Sequence, residues 1–169
     1  MIIVETNVME VTQQLELKAR RLSVVVKDTA IDLSKRVLAD YGRTAETWKH
    51  KPKFTAEVDV KGDTVTMLAG TDDLIYKFVD RGTKPHFIFP RTPGGTLAFQ
   101  WGGRGSYRAK TRPSFLGSSG GGPSGPTVHF RYVKHPGTAP RRFSEVIQRK
   151  YDELAEKIAV QHIMEWQKE

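Results

Sequence analysis

A chain of 169 residues, 38% hydrophobic and 27% charged, has the length and composition of one ordinary globular domain, able to bury about two-thirds of the surface its unfolded form exposes. It contains no cysteine, which excludes disulfides, thiolate catalysis and cysteine-based zinc sites and suits a reducing cytoplasm. The net charge of +8 sits in one place: residues 81–144 hold eleven Lys/Arg and no Asp or Glu, while the segments on either side are close to neutral. Charge so one-sided points to an anionic partner, either nucleic acid or an acidic protein surface, against the plainer reading of a solvated loop.

The opening Met1-Ile2-Ile3-Val4-Glu5 lacks a basic n-region and is not expected to act as a signal peptide. No apolar run approaches the ~20 residues that span a bilayer, so no membrane partner is expected. From about residue 7 to 41 the apolar positions predict one long helix. Val8, Val11, Leu15, Ala19, Leu22, Val26, Ala30, Leu33, Val37 and Tyr41 step by 3, 4 and 4, an eleven-residue period that runs almost straight along an undistorted helix. Such a helix is about 50 Å long, more than the diameter of a domain this size, so part of it should project or bend. A second stripe, Leu17, Val24, Ile31 and Leu38, recurs every seven residues on nearly the opposite side. Two opposed apolar faces cannot both pack on one sheet. Either the C-terminal helix covers the second face within the monomer, or another subunit does; the second stripe is therefore a candidate self-association surface.

Residues 53–70 alternate apolar and polar about Lys61-Gly62-Asp63 and predict a β-hairpin. A short helix over 72–79 follows, capped by an Asp and stopped at Gly82. Strands are predicted at 86–90, 96–101 and 127–133. Between the last two lies a basic stretch rich in Gly, Ser and Pro, about 102–126, which has nothing to bury and is expected to be mobile in the isolated protein. A loop this long in a compact domain usually has a task. The chain closes with an amphipathic helix over about 143–166, its face marked by Phe143, Ile147, Tyr151, Leu154, Ile158, His162 and Trp166. The order predicts a single α+β domain, residues 1–169, with a mainly antiparallel sheet, a long N-terminal helix and a C-terminal helix.

Catalytic and metal chemistry find little to stand on. His50, His86, His129, His135 and His162 show no pairing with one another or with a carboxylate at metal-ligand spacing, and the region around three of them lacks acids altogether. The serines cluster where nothing would hold a nucleophile in geometry, and no phosphate-cradling or dinucleotide motif is present. No cofactor or metal is expected. Arg104, Arg108, Lys110 and Arg112, interleaved with Tyr107 and Phe115, are candidates for contact with DNA or with an acidic partner. Arg141 and Arg142, just before the last helix, could equally meet an acidic patch on a partner.

Gly82-Thr83-Lys84-Pro85 and Gly137-Thr138-Ala139-Pro140 echo each other. In each, Gly permits a positive φ and Pro fixes the exit, so both read as sharp, rigid turns. The ordered series Tyr76-Lys77-Phe78-Val79-Asp80-Arg81-Gly82-Thr83-Lys84-Pro85-His86-Phe87-Ile88-Phe89-Pro90, then Leu97-Ala98-Phe99, then His135-Pro136-Gly137-Thr138-Ala139-Pro140-Arg141-Arg142-Phe143 resembles the signature of the tail-completion (head–tail joining, minor tail component) family of long-tailed bacteriophages. It covers about residues 76–143; the loop at 102–126 is longer than that family leads one to expect. The resemblance implies a non-enzymatic structural protein of the virion, assembled in the host cytoplasm. It would form a ring, expected to be hexameric, that joins the phage connector or head-completion protein to the tail terminator or tail tube, with DNA in the lumen.

Two other readings compete. A nucleic-acid-binding protein or small ribonuclease-like toxin would account for the basic middle of the chain. A hydrolase would have to work through His86 or His135.

Overall fold

The computed structural model describes residues 8–62, 64–118 and 120–168. The first helix, α1, runs unbroken over Val8–Thr44, 37 residues and about 55 Å. It ends three residues later than the stripe suggests, because the helix is carried on by Gly42-Arg43-Thr44 and closed by the Thr44 hydroxyl, which donates to the Tyr41 carbonyl at 2.7 Å. The side chains of Val8, Val11 and Leu15 lie outside the described residues, as does Asp63 in the hairpin turn.

The hairpin follows as expected: β1 (Thr55–Lys61) pairs antiparallel with β2 (Thr64–Gly70), in register from Thr55–Gly70 to Lys61–Thr64. Its half-buried positions, Ala56, Val58, Val65, Met67 and Ala69, alternate with exposed ones, so one face of the ladder is turned inward and the other meets solvent. Helix α2 (Leu74–Arg81) begins where the Asp73 carboxylate accepts from the Tyr76 N–H at 2.7 Å, and it stops at Gly82, φ +77.

From Thr83 to Thr138 the chain makes a two-stranded ribbon rather than part of one sheet. An isolated bridge joins Thr83 to Thr138. Then β3 (His86–Ile88) pairs with β6 (Val133–His135), and β4 (Leu97–Gln100) with β5 (Thr127–Phe130), both antiparallel. The single strand expected over 127–133 is thus two strands, broken at Arg131-Tyr132, where the opposite side of the ribbon makes its own excursion through residues 89–96. Among the described residues the strand pairing is antiparallel throughout, in three two-stranded ladders.

Helix α3 (Phe143–Trp166) lies antiparallel along α1. Tyr41 pairs with Ser144 at 3.3 Å, Tyr151 donates to Asp40 at 3.0 Å, and Thr29 pairs with His162 at 2.8 Å, so the contacts climb α3 as they descend α1. The core lies between the two helices, the hairpin and α2: Leu33, Val37, Tyr41, Tyr76, Phe143, Ile147, Tyr151 and Ile158, with Trp48, Phe54 and Met67 packed against it. Tyr76 is its hub, with the rings of Tyr41, Trp48, Phe54 and Phe143 all within 6.1 Å of its own. Burial pushes the Tyr76 phenol far above its ordinary range even though Thr44 hydrogen-bonds it at 2.9 Å. The fold is α+β.

Candidate functional site

Between the end of α2 and the start of α3, the two echoing turns meet. The Thr83 N–H donates to the Thr138 carbonyl at 2.9 Å and the Thr138 N–H donates back to the Thr83 carbonyl at 3.1 Å. Each turn needs its glycine for the same reason. Gly82 and Gly137 both hold a positive φ, and a Cβ on either would come within 2.6 Å of the other turn's threonine carbonyl. Pro85 and Pro136 carry the chain out into the ribbon on either side, and His86 and His135 follow as register partners.

The histidines make contacts that no local spacing announces. His86 and His135 face one another across the ladder with ring centroids 5.1 Å apart. The Gly137 N–H donates to Nδ1 of His135 at 3.0 Å, and Nδ1 of His86 donates to the Lys84 carbonyl at 2.8 Å, so each ring also steadies its own turn. His50 pairs with Asp73, and that interaction, ahead of the Tyr76 N–H, holds the Asp73 carboxyl below its usual range. Among the described residues no group of three or more His, Cys, Asp or Glu gathers where a metal could sit. His86 and His135 are far apart in sequence, and nothing local signals that they meet.

Asp80 ties the turns to the last helix, a role that sequence reasoning missed. It is buried at the start of α3, where its carboxylate accepts from the Ser144 hydroxyl at 2.8 Å and the Ser144 N–H at 3.2 Å. Its carbonyl accepts from the N–H groups of Arg141 and Arg142, both at 3.0 Å. A negative charge at a helix N-terminus is favoured by the exposed peptide N–H groups and the helix dipole. Arg142, the N-cap residue, takes φ +57 and has no side-chain cap of its own, so Asp80 supplies that function from another element. An acid two residues before a Gly-Thr turn is the available signal.

The two arginines differ. Arg141 turns inward, and its Nε donates to the buried Thr111 hydroxyl at 3.2 Å. Arg142 stays exposed, 3.9 Å from Glu145. Lys110 also turns inward and donates to the Thr47 carbonyl at 3.1 Å, while Arg104, Arg108 and Arg112 are exposed. The 102–126 segment therefore carries no helix or strand among its described residues, yet it is tied to the body. The Ser114 N–H donates to the Arg141 carbonyl at 2.8 Å, Ser118 accepts from the Thr47 N–H at 2.9 Å, and Leu116 packs against the core. At 110–118, Thr111, Lys110 and Leu116 find partners that their own sequence neighbourhood does not reveal.

On α1 the first stripe is buried at Ala30, Leu33, Val37 and Tyr41, whereas Leu22 and Val26 are exposed. The second stripe divides the same way: Ile31 and Leu38 are half-buried, Leu17 and Val24 are 58% and 57% exposed. Helix α3 is 24 residues long against 37 for α1, and it ends beside Arg21, Val24 and Val25. There Trp166, His162 and Val24 line an open hollow of about 630 Å³. Among the described residues no helix is long and apolar enough to cross a membrane.

No family model, no curated protein and no solved structure matches the chain.

Proposed function

We propose that this chain is a structural protein of the phage neck and tail, a tail-completion subunit that joins the head connector to the tail. It acts by assembling into a ring with copies of itself and by docking its basic segment on the neighbouring neck proteins. In this reading it catalyses nothing. The observation that carries it is the stretch of α1 from Leu17 to Val26, where Leu17 and Val24 on one face and Leu22 and Val26 on the other stand exposed together. A helix that shows apolar surface on both sides, part of it past the end of its partner helix, is stable in water when another subunit covers it. Further support comes from the ordered signature of residues 76–143, whose two turns, Asp80 and the start of α3 form one hydrogen-bonded joint. The acid-free ribbon also favours nucleic-acid binding, the alternative, and that is a separate measurement.

The test is genetic. Deleting this reading frame from a phage that carries it should leave DNA-filled heads and finished tails as separate particles in electron micrographs. Intact, infectious virions from the deletion would overturn the proposal.

A further inference from the structure

The ribbon between Thr83 and Thr138 carries two aromatic clusters that take no part in the core. On the β3–β6 ladder the rings of Phe87, Phe89 and Tyr132 lie 5.9 to 6.2 Å apart, each more than half exposed. Lys134 is the register partner of Phe87 and so shares that face. On the β4–β5 ladder Phe99, Trp101 and Phe130 lie 5.9 to 6.4 Å apart, with Trp101 and Phe130 exposed. Arg131 stands between Phe130 of one cluster and Tyr132 of the other. Residues 83–138 contain eight Lys/Arg and no acid. On the ribbon outside the 102–126 segment, the side chains of Arg91, Arg131 and Lys134 have neither an ion pair nor a hydrogen bond to any described residue.

We propose that this ribbon is a binding site for single-stranded nucleic acid. Exposed rings beside unpaired cations match a ligand that offers a phosphate and a flat base in every repeat. A duplex would satisfy the cations but keep its bases stacked away from the rings. An acidic protein surface would likewise satisfy the cations while offering few counterparts to six aromatic rings. Another copy of the chain is a poor anionic partner, because outside residues 83–138 the Lys/Arg and Asp/Glu numbers are equal at 19 each. None of these residues lies on α1, so the inference goes beyond ring assembly and stands or falls separately from it.

Fluorescence anisotropy on the full chain tests it, with a labelled single-stranded DNA oligonucleotide of mixed sequence, the same sequence as a duplex, and polyglutamate as the acidic polypeptide. At about 50 mM salt the single strand should bind more tightly than the duplex, with log affinity falling linearly against log salt. Phe87→Ala with Tyr132→Ala should weaken single-strand binding about tenfold while duplex binding and the salt slope stay unchanged. Arg131→Gln with Lys134→Gln should flatten the slope, by about 0.7 for each phosphate that is no longer neutralised. Thermal melting of each variant confirms that it is folded, and the arginine–lysine pair keeps the test open should the aromatic pair fail to fold. No binding at about 50 mM salt overturns the proposal. So does duplex binding as tight as single-strand binding with no effect of the aromatic variants, and so does polyglutamate binding as tight as that of the single strand.

Discussion

Thr83 and Thr138, 55 positions apart in sequence, exchange a reciprocal pair of backbone hydrogen bonds, 2.9 and 3.1 Å long. The Thr83 hydroxyl adds a third, accepting from the Thr138 N–H at 3.0 Å. This clasp closes the base of the ribbon and sets the point from which α3 starts, so the placement of everything between the two threonines depends on the close approach of two glycine turns.

Substituting either glycine should loosen the clasp. Gly82→Ala places a Cβ 2.6 Å from the Thr138 carbonyl, Gly137→Ala one 2.3 Å from the Thr83 carbonyl, each on a backbone that L side chains rarely adopt. Each should cost roughly 1–3 kcal/mol in backbone strain, with the clash in addition. Because the two share one point of approach, the double variant should cost clearly less than the sum. Denaturant melts of the two singles and the double give the answer; full additivity would mean that the turns do not act as a unit.

Asp80→Ala should remove the acceptor that caps α3 and leave the N–H of Ser144 without its partner. A loss of about 1–2 kcal/mol is expected, in line with other helix caps. Hydrogen exchange should speed up first in the opening turn of α3 rather than evenly along it; even acceleration would contradict the capping role.

Asp40 is buried between the main helices and accepts from Tyr151 at 3.0 Å, from Arg43 at 3.2 Å and from Lys150. Burial first, and the Asp40 hydrogen bond second, push the Tyr151 phenol up to about 12. A phenol whose pKa is higher folded than unfolded gives stability that is complete below about 10, its unfolded value, and lost as pH climbs toward 12. Tyr151→Phe should cost about 1 kcal/mol at neutral pH through the lost hydrogen bond. It should also make the alkaline decline shallower without abolishing it, since Tyr76 is shifted the same way. An unchanged alkaline profile would show that Tyr151 is not the titrating group.

Thr111→Val should free the loop at its anchor. It removes the hydroxyl that holds Nε of Arg141 while keeping the side-chain volume, at a cost of about 1 kcal/mol. Limited proteolysis should then cut within 104–112 faster than in the unaltered protein. Equal cutting rates would place the anchor elsewhere.

What the sequence makes legible is what repeats locally. The eleven-residue stripe of α1 leads straight to Ala30, Leu33, Val37 and Tyr41 in the core, and the apolar face of α3 to Phe143, Ile147, Tyr151 and Ile158. The alternation about Gly62 leads to the hairpin. Long-range pairing is another matter. Nothing near His86 says that its partner is His135, and a continuous run of strand-forming residues over 127–133 conceals the break at Arg131-Tyr132. The echo of the two Gly-Thr-x-Pro turns is a trace of the clasp, but in sequence it reads only as two corners, because the echo does not say that they face each other. The anchoring of 110–118 leaves no pattern at all, since it rests on isolated side chains: Thr111 on Arg141, Lys110 on Thr47, Ser118 on the Thr47 N–H and Leu116 on the core. The aromatic clusters have a faint signal in Phe87 and Phe89, two apart in a strand with apolar residues on both faces.

Native mass spectrometry of the full chain tests the self-association at the centre of the account most directly, with Leu17→Glu/Val24→Glu as the comparison. The unaltered protein should appear as one closed oligomer, and the double variant as a monomer with the same helix content by circular dichroism. A monomer at every concentration for the unaltered protein, or an oligomer that survives both glutamates, would contradict it.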